Sequence, residues 1–182
     1  MEGIEQERWA RLLDAVHSVD GAPPSRPEPV EVAIERSPAR IGRMALLATR
    51  VVGALALLAV GAVHLQQYLL LYHAIPTIGT LFVLNFAGAT AIGLGLLAPL
   101  EHLLGGRARP LLALLALGGV ELAGTAFVFL LVSEHTPLFG FMEPGYDPTA
   151  ILASRVAEAV TVVVLGSFLA AAMRNAGAAR RW

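Results

Sequence analysis

The chain has 182 residues, of which 56% are hydrophobic and 15% charged, with a mean hydropathy of +0.67 and a formal net charge of −1. Soluble domains carry about 25% charged residues, so this composition indicates a membrane protein. The near-neutral charge and the lack of a basic run with interleaved aromatic residues predict no nucleic-acid partner. The absence of cysteine excludes disulfides, thiolate catalysis and Cys-ligated metal sites.

Residues 1–43 are predicted to form a cytoplasmic tail. Between residues 2 and 19, apolar side chains recur at the spacing of one helix face, at Trp9, Leu12, Leu13 and Val16. This pattern predicts a short amphipathic helix. Residues 21–29 (GAPPSRPEP) predict an extended Pro-rich linker. The tail is expected to be semi-ordered, or else to lie on the membrane, dock on the bundle or bind a protein partner.

Four long apolar stretches follow, at about residues 51–72, 80–100, 110–132 and 148–173. Each is close to the ~20 residues that a helix needs to cross a ~30 Å hydrocarbon core. The sequence therefore predicts an all-α fold, a polytopic membrane four-helix bundle over residues 44–173. Residues 174–182 are then a C-terminal tail.

Arginines predict the orientation of this bundle. They precede the first stretch, separate the second from the third, and follow the fourth, at Arg36, Arg40, Arg43, Arg50, Arg107, Arg109, Arg174, Arg180 and Arg181. The loops near residues 73–79 and 133–147 contain none. By the positive-inside rule, both the N-terminus and the C-terminus are cytoplasmic in a multi-pass protein of the inner (plasma) membrane.

Among the polar and ionisable side chains inside the predicted spans, six at comparable depth form a candidate cluster: His64, Gln67, Asn85, Glu121, Arg155 and Glu158. Each has small neighbours on or beside its own helix face, which predicts a bundle interior. Exposed charge inside a membrane is costly, so such residues turn inward and pair. We expect Arg155 to neutralise Glu158 or Glu121. The other carboxyl would be protonated, hydrogen-bonded to His64 or neutralised by a bound cation.

The two amides of this cluster, Gln67 and Asn85, are expected to hydrogen-bond between helices. Nearer the outer rim is a second group of polar residues: Tyr72, His73, Glu134, His135, Glu143 and Asp147. Imidazole and carboxylate ligands could bind zinc or copper there, with His73, His135, Glu134 and Glu143 as the candidates. The alternative is that these residues are solvated helix ends. The Asp147–Pro148 pair predicts an N-cap and first residue for the fourth helix.

Three segments resemble small, uncharacterised four-helix membrane proteins of actinobacteria. They are His64-Leu65, the run HAIPTIGTLF from His73 towards Asn85, and LFGFMEPGY from Leu138. The plan over residues 44–173 is similar to that of DoxX-like membrane proteins. The resemblance implies a four-helix membrane fold and supplies no catalytic residues.

Three functions remain open from the sequence. The first is a transporter-like protein that binds or moves protons, a small cation or a solute, with Glu121 and Glu158 as acceptors, Arg155 as counter-charge and His64 as relay. The second is a non-catalytic accessory or scaffold subunit that recruits a protein partner through its N-terminal segment. The third is a redox or metal-handling protein that uses the outer rim. Homo-oligomers are compatible with each, the residues assign no cofactor, and the balance favours a protein that is not an enzyme.

Overall fold

The computed structural model describes residues 38–179, with side-chain surroundings for residues 42–174. The predicted amphipathic helix (2–19) and the Pro-rich linker (21–29) lie outside the described residues. The described part is helical, with the elements in the order α1 (Pro38–Leu70), α2 (Pro76–Leu97), α3 (Leu100–Leu104), α4 (Ala108–Ser133) and α5 (Pro148–Ala179). Short 3₁₀ turns at Tyr72–Ala74 and Gly105–Arg107 complete these elements.

Four of these helical segments are long and apolar enough to cross a membrane: Gly42–Leu70, Pro76–Leu97, Leu100–Ser133 and Pro148–Arg174. The all-α membrane four-helix fold is therefore confirmed. The two largest differences from the expected boundaries are at the start of α1 and the end of α5. Helix α1 begins at Pro38 and α5 continues to Ala179, because a helix does not need to end where it leaves the hydrocarbon core.

Helix α1 occupies the central position in the packing. It lies against both α2 and α5, and α4 packs on α5, whereas the α2–α4 seam is less extensive. Close approach of α1 to its neighbours depends on glycine. A Cβ atom on Gly53 would lie 2.8 Å from Cγ of Leu165 in α5, and one on Gly61 would lie 3.2 Å from Cβ of Ala89 in α2.

The apolar core fills only part of the bundle. Near the end that carries α3, here called the short-helix end, six buried residues form the core: Ala54, Leu96, Leu112, Ala116, Leu165 and Phe168. A smaller cluster of Leu57, Ala89 and Ala123 lies near the middle. The opposite end carries the loops at residues 71–75 and 134–147 and is called the long-loop end. Polar residues and a cavity take the place of the core there.

An ion pair closes the short-helix end. The guanidinium of Arg50 is bonded to the carboxylate of Glu101, which lies in α3. The Arg50 side chain is only 8% exposed and that of Glu101 is 50% exposed. This pair fixes the short α3 segment against the first helix.

Candidate functional site

A cavity of about 510 Å³ lies in the long-loop half of the bundle. All four long helices and the 134–147 loop contribute to its wall. Most of that wall is apolar, with Phe82, Leu122, Phe129 and Phe141 among its larger residues. Small-molecule sites are concave spaces of roughly this size with a few polar groups on an apolar surface. The cavity is therefore the candidate functional site.

Five of the six predicted cluster residues line this cavity: His64, Gln67, Asn85, Glu121 and Glu158. The sixth, Arg155, does not. Its guanidinium bonds to Glu134 at the end of α4, so the expected ion pair with Glu158 or Glu121 is wrong. Arginine has a long side chain, and this one reaches along α5 towards the long-loop end instead of across the bundle. The side chain of Arg155 is 36% exposed and that of Glu134 is 21% exposed.

Glu158 is the most enclosed charged residue of the described chain that the cavity contacts. It is 1% exposed, and its Oε1 accepts a hydrogen bond of 2.9 Å from the Ser154 hydroxyl one helical turn earlier. Its Oε2 is buried and accepts no hydrogen bond from the described residues. Unpaired buried acceptors are rare in folded proteins, so this oxygen calls for a donor that the described residues do not supply.

His64 faces the same carboxylate. Its Nδ1 lies 2.9 Å from the carbonyl oxygen of Val60, and because a carbonyl only accepts, Nδ1 carries the proton and donates it. The other ring nitrogen, Nε2, lies 3.9 Å from Oε1 of Glu158. That distance exceeds a direct hydrogen bond. The ring also contacts Phe82, with 5.0 Å between the ring centroids.

The two amides differ in their bonding. Gln67 Nε2 donates to Oδ2 of Asp147 at 3.0 Å, which joins α1 to the start of α5 as the sequence predicted for an interhelical bond. Asp147 also accepts from the Ala150 amide through Oδ1 at 3.0 Å, so the predicted N-cap is confirmed. These two bonds, the Ala150 amide first, lower the pKa of the Asp147 carboxyl. In contrast, Oδ1 of Asn85 is buried without a partner among the described residues.

Glu121 is placed differently from the expectation. Burial on α4 follows Leu112, Ala116, Gly119 and Ala123, whereas Glu121 lies on the exposed side of the helix with Leu117 and Val128. The prediction of an interior position for Glu121 is therefore wrong. Glu121 still lines the cavity, so the cavity is open on that side of α4.

A loop covers the long-loop end of the cavity. Glu143, which is 6% exposed, accepts hydrogen bonds from the Tyr72 hydroxyl and from the backbone amides of Gly145 and Tyr146. The Tyr72 ring stacks on Phe82 with 4.5 Å between centroids and meets Phe141 edge-on at 5.7 Å. Burial, and then the neighbouring Glu143 carboxylate, raise the pKa of the Tyr72 phenol.

The four rim residues considered for metal binding are engaged separately. The Nδ1 atom of His73 is hydrogen-bonded to the backbone carbonyl of Tyr68, and that of His135 to the backbone carbonyl of Leu131. Glu134 is paired with Arg155 and Glu143 is bonded to Tyr72. Within residues 38–179 the structure assembles no group of three or more His, Asp or Glu side chains able to hold a metal ion.

No family model, curated protein or solved structure matches this chain. The resemblance to DoxX-like proteins stays a prediction. The geometry of the cavity is therefore the basis for any functional argument.

Sequence reasoning missed four features of the site. The Ser154–Glu158 hydrogen bond could have been predicted from the sequence, because side chains four residues apart on a helix are neighbours. The Tyr72–Glu143 bond and the aromatic stack around Phe82 join residues distant in sequence, and composition gave no sign of them. The cavity itself could not be read from the apolar stretches, because a helix that lines a cavity has the same composition as one that packs in a core.

Proposed function

We propose that this membrane protein binds a small organic cation in the cavity at its long-loop end. The observation that carries the proposal is the buried Oε2 of Glu158, which has no donor among the described residues although Glu158 lines a cavity of about 510 Å³. A buried polar atom left unpaired costs about 1–3 kcal/mol, and more when it is charged. A ligand that donates to this oxygen recovers that free energy.

The charge of the wall favours a cation over a neutral donor. Four carboxyl groups line the cavity, at Glu121, Glu143, Asp147 and Glu158, and no arginine does. Glu143 and Asp147 already accept hydrogen bonds from neutral donors, the Tyr72 hydroxyl and the Gln67 amide respectively. Glu121 and Glu158 have no cationic hydrogen-bond partner among the described residues.

The acceptors match a protonated amine. An ammonium group has three donors. Three acceptor atoms on cavity-lining residues accept no hydrogen bond from the described residues, namely Oε2 of Glu158, Oδ1 of Asn85 and Nε2 of His64, whose Nδ1 carries the proton. Because Glu158 is 1% exposed, its carboxylate turns slightly towards the cavity when the ligand arrives. The apolar wall then receives the rest of the molecule.

Binding of three matched probes tests this proposal. Full-length protein in lipid nanodiscs is titrated with 2-phenylethylamine, 2-phenylethanol and 3-phenylpropionate, which share an aromatic body and differ in charge. We expect the amine to bind at least tenfold more tightly than the alcohol, about 1.4 kcal/mol, and the carboxylate to show no binding. Equal affinities for amine and alcohol would refute a cation site.

Variants locate the binding site. Glu158→Gln is expected to weaken amine binding at least tenfold, whereas Glu101→Gln, at the short-helix end and outside the cavity, leaves it unchanged. Ser154→Ala keeps the carboxylate and is expected to retain the preference for the amine. If the Glu158 variant does not fold, the comparison of probes on the unaltered chain still decides the question.

We also propose that the cavity faces the outer side of the plasma membrane, with both termini cytoplasmic. The arginine distribution supports this orientation through the positive-inside rule. The chain contains no cysteine, so single cysteines report cleanly on exposure. A membrane-impermeant maleimide added to intact cells is expected to label Thr136→Cys and not Gly106→Cys. The reverse pattern would invert the topology.

A further inference from the structure

The cavity has a side opening between α2 and α4. In the half nearer α3 these two helices touch through glycines. A Cβ atom on Gly88 would lie 2.7 Å from Leu122, one on Gly95 would lie 3.1 Å from Leu115, and one on Gly118 would lie 3.4 Å from Ile92. Towards the long-loop end, cavity-lining residues on both sides of the seam are exposed, including Leu84 (61%) and Phe129 (39%). The opening therefore faces the lipid.

Glu121 lies at this opening. It is near the middle of α4, about 18 Å along the helix from Ser133, and it is both exposed and part of the cavity wall. None of the described residues donates a hydrogen bond to its carboxylate. An ionisable residue at membrane depth is costly, and such residues mark substrate pathways more often than they serve as passive surface.

The 134–147 loop lies at the end of the cavity that a solute from water would approach. Leu138, Phe139 and Phe141 of the 134–147 loop lie over the long-loop end, and Glu143 ties this loop to Tyr72. A solute coming from water at that end meets this loop first. A solute dissolved in the bilayer meets an open side.

We propose that the ligand is a lipophilic amine that enters from the bilayer through the α2–α4 seam, meets Glu121 first and comes to rest at Glu158. The inference rests on the proposed cation site and adds the class of ligand and its route. Glu158, which lines the cavity, is 1% exposed and has a buried oxygen that accepts no hydrogen bond from the described residues, is the observation that points to a ligand. The apolar wall explains why the amine carries a hydrophobic body.

Association kinetics test the route. Binding of 4-phenylbutylamine to captured nanodiscs is followed by surface plasmon resonance, with empty nanodiscs as the reference. Thr125→Trp places a large ring at the opening, because Thr125 is exposed and lines the cavity. We expect the association rate to fall about tenfold and the equilibrium affinity to change less than threefold. Leu114→Trp, on the same helix, 65% exposed and outside the cavity, is the matched control and is expected to change neither.

The role of Glu121 has its own readout. Glu121→Gln is expected to slow association of the amine about fivefold and to leave association of 4-phenylbutanol unchanged, since only the cation is attracted to the carboxylate. Equal slowing of both probes would mean that the substitution merely alters the shape of the opening, and would overturn the role assigned to Glu121.

A second experiment distinguishes entry of the ligand from the bilayer from entry from water. A diamine with the same aromatic body carries two charges and does not partition into lipid, so it is expected to associate at least tenfold more slowly than the monoamine. If the diamine binds as fast and Thr125→Trp has no effect, entry from the bilayer is refuted. Amine binding that still depends on Glu158 would leave the cation site intact. Loss of the preference for amine over alcohol would refute the cation site itself.

Discussion

Replacing Glu143 with alanine should release the loop that covers the cavity. Glu143 joins three parts of the long-loop end. Its carboxylate accepts hydrogen bonds from the Tyr72 hydroxyl after α1 and from the backbone amides of Gly145 and Tyr146, and its own backbone amide donates to the Ser133 carbonyl at 2.8 Å. The substitution removes the side-chain bonds and keeps the backbone bond. It therefore isolates the contribution of the carboxylate.

The magnitude follows from the burial of each donor. Hydrogen bonds to charged groups contribute about 1.5–3 kcal/mol each. Gly145 and Tyr146 are exposed, so water replaces the carboxylate at their amides and their share is small. Tyr72 is 4% exposed, and its hydroxyl would lose its acceptor, which costs about 1–3 kcal/mol. Together we expect the free energy of unfolding to fall by about 3 kcal/mol, or roughly a hundredfold in the unfolding equilibrium.

Reversible unfolding in mixed detergent micelles, with increasing SDS, measures this change. Glu143→Gln keeps an acceptor oxygen and the shape of the side chain, so its loss should be about 1 kcal/mol. Thr136→Ala is the control, because Thr136 is exposed on the same loop. If Glu143→Ala unfolds at the same SDS fraction as Thr136→Ala, the hydrogen bonds do not hold the loop and the reasoning is refuted.

The Tyr72 phenol gives a second readout of the same contact. Its pKa is raised by burial first and by Glu143 second, so the neutral phenol is favoured in the folded state. The corresponding stability is present below the ordinary tyrosine pKa of 10.0 and is lost as the pH rises through the folded-state pKa. An ultraviolet titration follows ionisation of the tyrosine phenols. The step that disappears in Tyr72→Phe belongs to Tyr72, and its midpoint should lie at a higher pH than that of an ordinary tyrosine. Glu143→Gln should lower it without restoring the ordinary value.

Two further substitutions test the packing and capping. Gly53→Ala would drive a methyl group into the buried side chain of Leu165 and should cost about 1–3 kcal/mol, whereas Gly42→Ala, with no atom within 4 Å, should be neutral or slightly stabilising in the same SDS titration. Asp147→Asn should reduce the loss of unfolding free energy that accompanies a fall in pH on the acid side. The lowered pKa of Asp147, caused first by the Ala150 amide, adds stability that is complete above 3.8 and is lost as the pH falls through the folded-state pKa. An unchanged profile would contradict the cap.

The helices were predictable because length and hydropathy suffice to locate a membrane span. The side of α1 and α5 that faces inward was also predictable, since small residues mark it. The face of α4 was not. Leu114, Leu117 and Val128 are exposed and chemically equivalent to buried Leu112, so the sequence alone could not place Glu121 outside the core. In a membrane, an apolar residue is equally suited to lipid and to protein.

The partner of Arg155 was unpredictable for a different reason. The sequence places backbone positions along a span, whereas the guanidinium lies several ångströms from its Cα atom and can extend towards either end of the helix. Near the membrane surface, a long cationic side chain extends towards the polar interface. Glu134 lies in that direction, so the pair forms there and Glu158 is left without its expected counter-charge.

The pairing of Arg155 with Glu134 in place of Glu158 distinguishes the binding hypothesis from the scaffold hypothesis. A cluster that only fixes helix register should satisfy its own members, as Gln67 and Asp147 do. The carboxylates of Glu158 and Glu121 instead line a cavity without a cation among the described residues, one of them buried and the other at the opening. A purely structural role predicts that Glu158→Leu is destabilising, because the bundle loses a group that fixes helix register. Without such a role the substitution is neutral or stabilising, since replacing a buried unpaired group with an apolar one of similar size removes its desolvation cost. A binding role predicts that the same variant is at least as stable as the unaltered chain but has lost its preference for amines.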